Sequence, residues 1–306
     1  MTYRFRFRQP VEVEFRAIAL EQIQRCHDAA QVGQGDVSHE IRKHCKRLRA
    51  LLRLVRGAFP DHATEQRVAR DAARELAALR DVAAHREALA RLRKRDPRRY
   101  AVPALERADA LLAGLLQADR GKQAEAAAVQ RALDLLDRQR DRVPSWTLGK
   151  RGFPALSDGF VHAYRQGRQH LAQARGEPTT GHLHELRKYV KHHRFHLELL
   201  QSVWKRPIGA AIAEVELLGE LLGEHHDLHV LAVALGDASR GVDRIDPAWL
   251  GELMQPEMRR LERQAIGVAR RVFAEKPSHL CARIEAYWQV GVRPGARRAR
   301  PRVAGA

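Results

Sequence analysis

Five cation-capable residues, His39, Arg42, Lys43, Lys46 and Arg49, recur at the same spacing as His184, Arg187, Lys188, Lys191 and Arg194, 145 residues later. A glutamate follows the histidine in each copy (Glu40, Glu185), and Ile41 is matched by Leu186. Side chains of these types bind anions. Arginine offers a planar fork of donors that grips two oxygens at once, and lysine supplies a mobile point charge. Histidine serves as a neutral donor or, beside an anion, as a cation. Placed on a helix at about 100° per residue, His39, Arg42, Lys43, Lys46, Arg49 and Arg53 fall within roughly one third of the circumference. Ile41, Leu48, Leu51, Leu52 and Val55 lie opposite. The second copy sets His184, Arg187, Lys188, Lys191 and Arg194 against Leu186, Val190, Leu197 and Leu200. Each helix therefore has one face for a core and one positive face.

From His39 to Arg53 the positive stripe is about 21 Å long at about 1.5 Å per residue, a length suited to an extended polyanion. A merely solvated face mixes its signs, because i,i+4 Glu–Lys pairs stabilise it and like charges repel. The stripes carry almost no carboxylate apart from Glu198 at the end of the second. The whole chain is basic too, with 55 Lys and Arg against 37 Asp and Glu, a formal net charge of +18. Such a balance points to nucleic acid, an anionic membrane surface or polyphosphate, and charge alone does not separate these. No apolar run approaches the roughly 18 residues of a membrane-spanning helix. The start, Met1 to Arg8, is basic and lacks the apolar stretch of a signal peptide. Cys26, Cys45 and Cys281 are too few and too scattered for a disulfide framework or a zinc pattern, which fits a reducing cytoplasm.

The elements that position the stripes are helices. Ala, Leu, Arg, Glu and Gln dominate, and strand-like alternation is almost absent. Breakers at Gly33 to Gly35, Gly57 to Pro60, Asp96-Pro97, Gly121, Pro144, Gly149 to Pro154, Gly176 to Gly181, Pro207, Gly236 to Pro247 and Pro277 divide the chain. They imply about eight to ten helices with short connections. Asp36-Val37-Ser38 and Thr179-Thr180 are suited to cap the two basic helices. Asp81, in Leu79-Arg80-Asp81-Val82, and Asp227, in His225-His226-Asp227-Leu228, recur at an offset of 146, each expected near the end of a helix. The repeat thus predicts an all-α fold of two similar helical halves, residues 10–145 and 155–290, with the stripes facing a shared groove. Gly291 to Ala306, with five arginines and two prolines, reads as a disordered basic tail.

These paired motifs resemble the CHAD family, the conserved histidine α-helical domain. The resemblance rests on His39-x-x-Arg42-Lys43-x-x-Lys46-Arg47-x-Arg49 and His184-x-x-Arg187-Lys188-x-x-Lys191-x-x-Arg194. Arg80-Asp81-Val82, His226-Asp227-Leu228 and Tyr164-x-x-x-Arg168 reinforce it, so that it covers residues 10–290. It implies an all-α fold of two pseudo-symmetric helical bundles around a basic central groove or pore that binds inorganic polyphosphate, with targeting to polyphosphate granules in bacteria. Carried over residue by residue, the binding set is His39, Arg42, Lys43, Lys46, Arg49, Arg53, Arg168, His184, Arg187, Lys188, Lys191 and Arg194. One departure is acidic: Glu214, Glu216 and Glu220 lead to Asp227, where the first half has Arg67, Arg70 and Arg74. Asp81 and Asp227 would repel a phosphate chain and are assigned structural roles, holding Arg or His side chains by ion pairs.

Other readings have weaker support in the residues. Glu12-Val13-Glu14-Phe15-Arg16 resembles the ExExK signature of the CYTH triphosphate-tunnel enzymes, but no set of strands follows it. His192 and His196, like His225 and His229, have the i,i+4 spacing that chelates zinc, without HExxH or an assigned third ligand. No nucleophile elbow, P-loop or dinucleotide turn is present, so the expectation is a binding protein with no catalytic residue, metal or cofactor. A polyphosphate- or triphosphate-processing enzyme would need clustered carboxylates for metal. A nucleic-acid binder would profit from stacking aromatics, which make up only 6% of the chain.

Overall fold

The computed structural model describes residues 3–33, 36–76, 81–100, 105–106, 110, 122–238 and 247–292. The elements in chain order are α1 (Val11–Val32), α2 (Val37–Leu54), α3 (His62–Glu75), α4 (Asp81–Arg95), α5 (Pro97–Tyr100) and α6 (Lys122–Arg142). A short 3-10 turn, Val143–Ser145, precedes α7 (Pro154–Gly176), α8 (Thr180–Leu200), α9 (Lys205–Ala238), α10 (Pro247–Val272) and α11 (Pro277–Gly291). Among the described residues there is no strand, so the fold is all-α. The stretch from Arg293 to Arg302 lies outside the described residues, as do Leu79 and Arg80.

Both basic helices, α2 and α8, begin where the caps stand. Asp36 Oδ1 accepts from the His39 N–H at 2.7 Å, and Thr179 Oγ1 from the His182 N–H at 3.2 Å. Each satisfies one of the N–H groups that a helix start leaves without a partner. Helix α1 stops at Gly33, whose φ of 61° is the left-handed conformation glycine adopts freely. Asp227 lies well inside α9 instead of near a helix end, and Asp81 is the first described residue of α4.

Helix α1 packs on α2, α8 packs between α7 and α9, and α2 meets both α7 and α8. The main core draws on both halves of the chain, from Phe15, Ile41, Leu48 and Leu51 to Leu186, Val190, Leu200 and Trp288. Phe15, Phe59 and Trp146 form an aromatic triad with centroid separations of 5.1 to 5.4 Å. A second cluster joins Leu89, Leu92 and Tyr100 to Leu228, Leu231, Met254 and Met258. Burial of these faces is the chief stabilising term.

The N-terminal segment is part of this core. Tyr3, Phe5 and Phe7 are buried, and the Phe5 N–H donates to the Leu199 carbonyl at 3.0 Å. Glu14 holds the segment in place. Its carboxylate accepts from the N–H groups of Arg6, Phe7, Arg8 and Gln9 at 2.6 to 3.2 Å, around a Phe7 with φ of 54°. Glu12 accepts from the Leu148 N–H at 2.8 Å and pairs with Arg16 at 3.3 Å. Both carboxylates of the ExExK-like stretch are thus committed to backbone donors.

Helix α7 approaches the end of α2 at Gly159. A Cβ there would lie 2.2 Å from the carbonyl oxygens of Arg53 and Leu54, which are backbone atoms that cannot swing aside. We expect Gly159→Ala to cost about 1–3 kcal/mol through overpacking and to lower the thermal midpoint measurably. Gly176→Ala, where nothing lies within 4 Å, is the control and should be neutral or slightly stabilising.

Candidate anion-binding site

Helix α8 presents His184, Arg187 and Lys191 on one face, and neighbouring helices bring charge to them. Lys46 of α2 and Asp227 of α9 both act on Lys191. His226 of α9 faces His184, with ring centroids 4.8 Å apart and Nδ1 atoms 3.4 Å apart. The Arg187 guanidinium passes over Gly223, where an added Cβ would stand 3.7 Å from one of its terminal nitrogens. On the other side, His192 lies near Arg53, Arg49 and Lys188. The second motif is thereby brought together with Lys46, Arg49 and Arg53 of the first.

The cluster is strongly charged and poorly compensated. Burial, then Arg187 and Lys46, push Lys191 down to about 7. Burial also lowers Arg187, against the opposing pull of Asp227, and lowers Arg49. Arg53 is brought down to about 10 by burial and then by Arg49. Burial, followed by Arg187, keeps His184 below the ordinary imidazole range, and burial followed by Arg53 holds His192 well below it. Asp227 offsets part of this charge while its Oδ2 accepts from Arg91 of α4 at 2.8 Å. The buried Nε atoms of Arg49 and Arg187 have no hydrogen-bond partner. Buried donors are normally satisfied, so two orphaned guanidinium donors are a costly arrangement that anionic oxygens would relieve.

Other members of the sequence-derived set are already engaged. Lys43 pairs with Glu40, and Lys188 with Glu185 at 2.7 Å, each through the i,i+3 spacing of the motif itself. Arg194 is shared by Glu198 at 2.9 Å and Glu216 at 3.0 Å. One terminal nitrogen of Arg42 donates to the Leu76 carbonyl at 2.9 Å, at the end of α3. Arg168 is directed at the carbonyls of Phe273 and Ala274, at 3.0 and 3.1 Å, and of Glu275. It closes the end of α10 with a cation, where the helix dipole favours one. His39 stands half-buried at the start of α2.

His226, Arg91 and His192 were not in that set. The first sits beside Asp227 in an element already noted, and the third in an i,i+4 pair read for zinc. The pair does not converge: His196 Nε2 is 3.1 Å from the Ala50 carbonyl, where it ties α8 to α2. Among the described residues no group of three or more His, Cys, Asp or Glu is placed to hold a metal ion. Arg91 carries no sequence signal, since its partner is 136 residues away.

The chain belongs to the CHAD domain family, whose pattern matches residues 17–236. Two solved structures share its fold. The CHAD domain from the plant Ricinus communis is 21% identical, with 94% of each chain covered and a TM-score of 0.59. PptA from Streptomyces chartreusis is 17% identical, with 92% of this chain and 100% of that chain covered and a TM-score of 0.56. No curated protein sequence matches the chain. Among the described residues no helix is long and apolar enough to cross a membrane.

Proposed function

We propose that the protein binds inorganic polyphosphate without catalysing its breakdown, and that this binding recruits it to polyphosphate granules in the cytoplasm. The observation that carries the reading is the convergence of Arg187, Lys191 and Lys46 with Arg49, two of them bearing orphaned buried donors. In this reading the two halves are repeats that turn α2 and α8 toward a shared basic groove. Arg42, Lys46, Arg49, Arg53, His184, Arg187 and Lys191 hold the chain. His39, Lys43, Lys188 and Arg194 contribute at its margins. Arg168 positions α10.

A polymer is favoured over a small phosphate ester because the cations are strung along two helices. Successive phosphates would displace counterions, as they do on nucleic acids. With about six cations engaged, the logarithm of affinity should fall against that of salt with a slope of roughly −4 to −5, by analogy with nucleic acids. The test is a titration of long-chain polyphosphate against duplex and single-stranded DNA across a salt series. Tighter binding of polyphosphate at physiological salt is expected. Equal competition by DNA would overturn the specificity, and metal-dependent phosphate release by the pure protein would overturn the non-catalytic assignment.

A further inference from the structure

The cluster on α8 has more places for protons than its charge balance favours. The two Nδ1 atoms of His184 and His226 face each other at 3.4 Å. Such a contact is satisfied when one ring presents N–H and the other a lone pair, so two protonated rings would repel. The charges of Arg187 and Lys191 act on both rings, and Glu185 beside His184 and Asp227 beside His226 are the carboxylates that oppose this. Lys188, beside His184, is already held by Glu185. Lys191 meets Arg187 and Arg194 from its own helix, Lys46 from α2 and Asp227 from α9. That aspartate is itself bonded to Arg91 from α4. The local sum is heavily positive, and each further proton must enter against it.

We propose that polyanion binding at this cluster is coupled to proton uptake, with Lys191 and the His184–His226 pair taking protons from solvent as the phosphate chain arrives. This rests on the binding reading above and adds its regulation. The internal phosphates of the chain stay ionised, one negative charge each, so the protons come from the buffer and remain on nitrogen. Near pH 8 the uptake falls mainly on Lys191, which burial and its cationic neighbours place at about 7 when no anion is bound. Near pH 6 it falls mainly on the histidine pair, since His226 is held at about 4 by burial and then by Arg187. A ligand that favours the protonated form raises these affinities for protons, so its own affinity must fall as pH rises.

The test is calorimetric titration of the full chain with long-chain polyphosphate at pH 6 and pH 8, in pairs of buffers that differ in ionisation enthalpy. The dependence of heat on buffer gives the protons exchanged. Uptake of about one proton per bound segment is expected at pH 8, with affinity falling about tenfold per pH unit there by linkage. Lys191→Arg is charged with or without anion, so its uptake at pH 8 should shrink whatever its affinity. Buffer-independent heat in the parent, or undiminished uptake in Lys191→Arg, overturns the coupling and leaves polyphosphate binding standing. Absence of binding at either pH overturns the binding reading itself, and the coupling with it.

Discussion

Simultaneous replacement of Arg42, Lys46, Arg187 and Lys191 by alanine should weaken polyphosphate binding by about three to four decades. Charge-assisted hydrogen bonds contribute about 1.5–3 kcal/mol each, and four of them lost together, with some overlap, give about 4–6 kcal/mol. The slope of log affinity against log salt should flatten by about three in the same variant. Lys43→Ala with Lys188→Ala is the informative contrast. These lysines are already paired with Glu40 and Glu185 on the surface, so their loss should change affinity by no more than a few-fold. Folding gives an independent check. Arg187 and Lys191 are largely removed from water, with the Arg187 Nε unpartnered. Removing such charges should leave the melting temperature unchanged or raise it. A quadruple variant that melts normally and binds normally would sink the site assignment.

The contrast between these two variants measures what was legible in the residues. Helical periodicity alone places Ile41 and Leu186 inward and the cations on the other face, and the caps at Asp36 and Thr179 locate both helix starts. The pairing of Glu40 with Lys43 was also readable, because i,i+3 contacts depend on nothing beyond the helix. What could not be read depends on contacts across helices. Arg168 has the spacing of a ligand residue, yet its acceptors are carbonyls 105 to 107 residues further on. Arg194 has Glu198 within reach on its own helix, but its second carboxylate, Glu216, comes to it only from α9. Asp227 could be assigned to holding a cation but not to Arg91 in particular. The aromatic residues before residue 10 alternate with arginines in a stretch that reads only as basic, but Glu14 folds their backbone so that Phe5 and Phe7 enter the core.

Acidification should unfold the protein cooperatively between about pH 4 and pH 5, driven by its buried histidines. His44, His62, His225 and His226 are each held at about 4, chiefly by burial, and two histidines on the face of α8 away from the phosphate stripe are held lower still. His193 and His196 are buried and held at about 3, chiefly by that burial. In the unfolded chain each titrates near its ordinary value of about 6.5. Because the folded value is the lower one, the native state is fully favoured above the unfolded pKa. That advantage is lost as pH falls through about 6.5 toward 3. At pH 4.5 each site has lost about two pH units' worth, so the pair costs about 5 kcal/mol, comparable to the whole stability of many domains. His193→Phe isolates the cause. The ring stands 5.5 Å from Phe160, 5.1 Å from Tyr164 and 6.1 Å from Phe273, surroundings that suit a phenyl group of similar size. Its Nδ1 has no partner, so the substitution removes an unsatisfied polar atom as well as a proton site. We expect the variant to melt at or above the parent temperature at pH 8 and to move its acid midpoint down by roughly half a pH unit. Surface carboxylates titrate alike in both proteins and cancel in the comparison. An unchanged acid midpoint, followed by circular dichroism, would mean that His193 is not what limits the fold in acid.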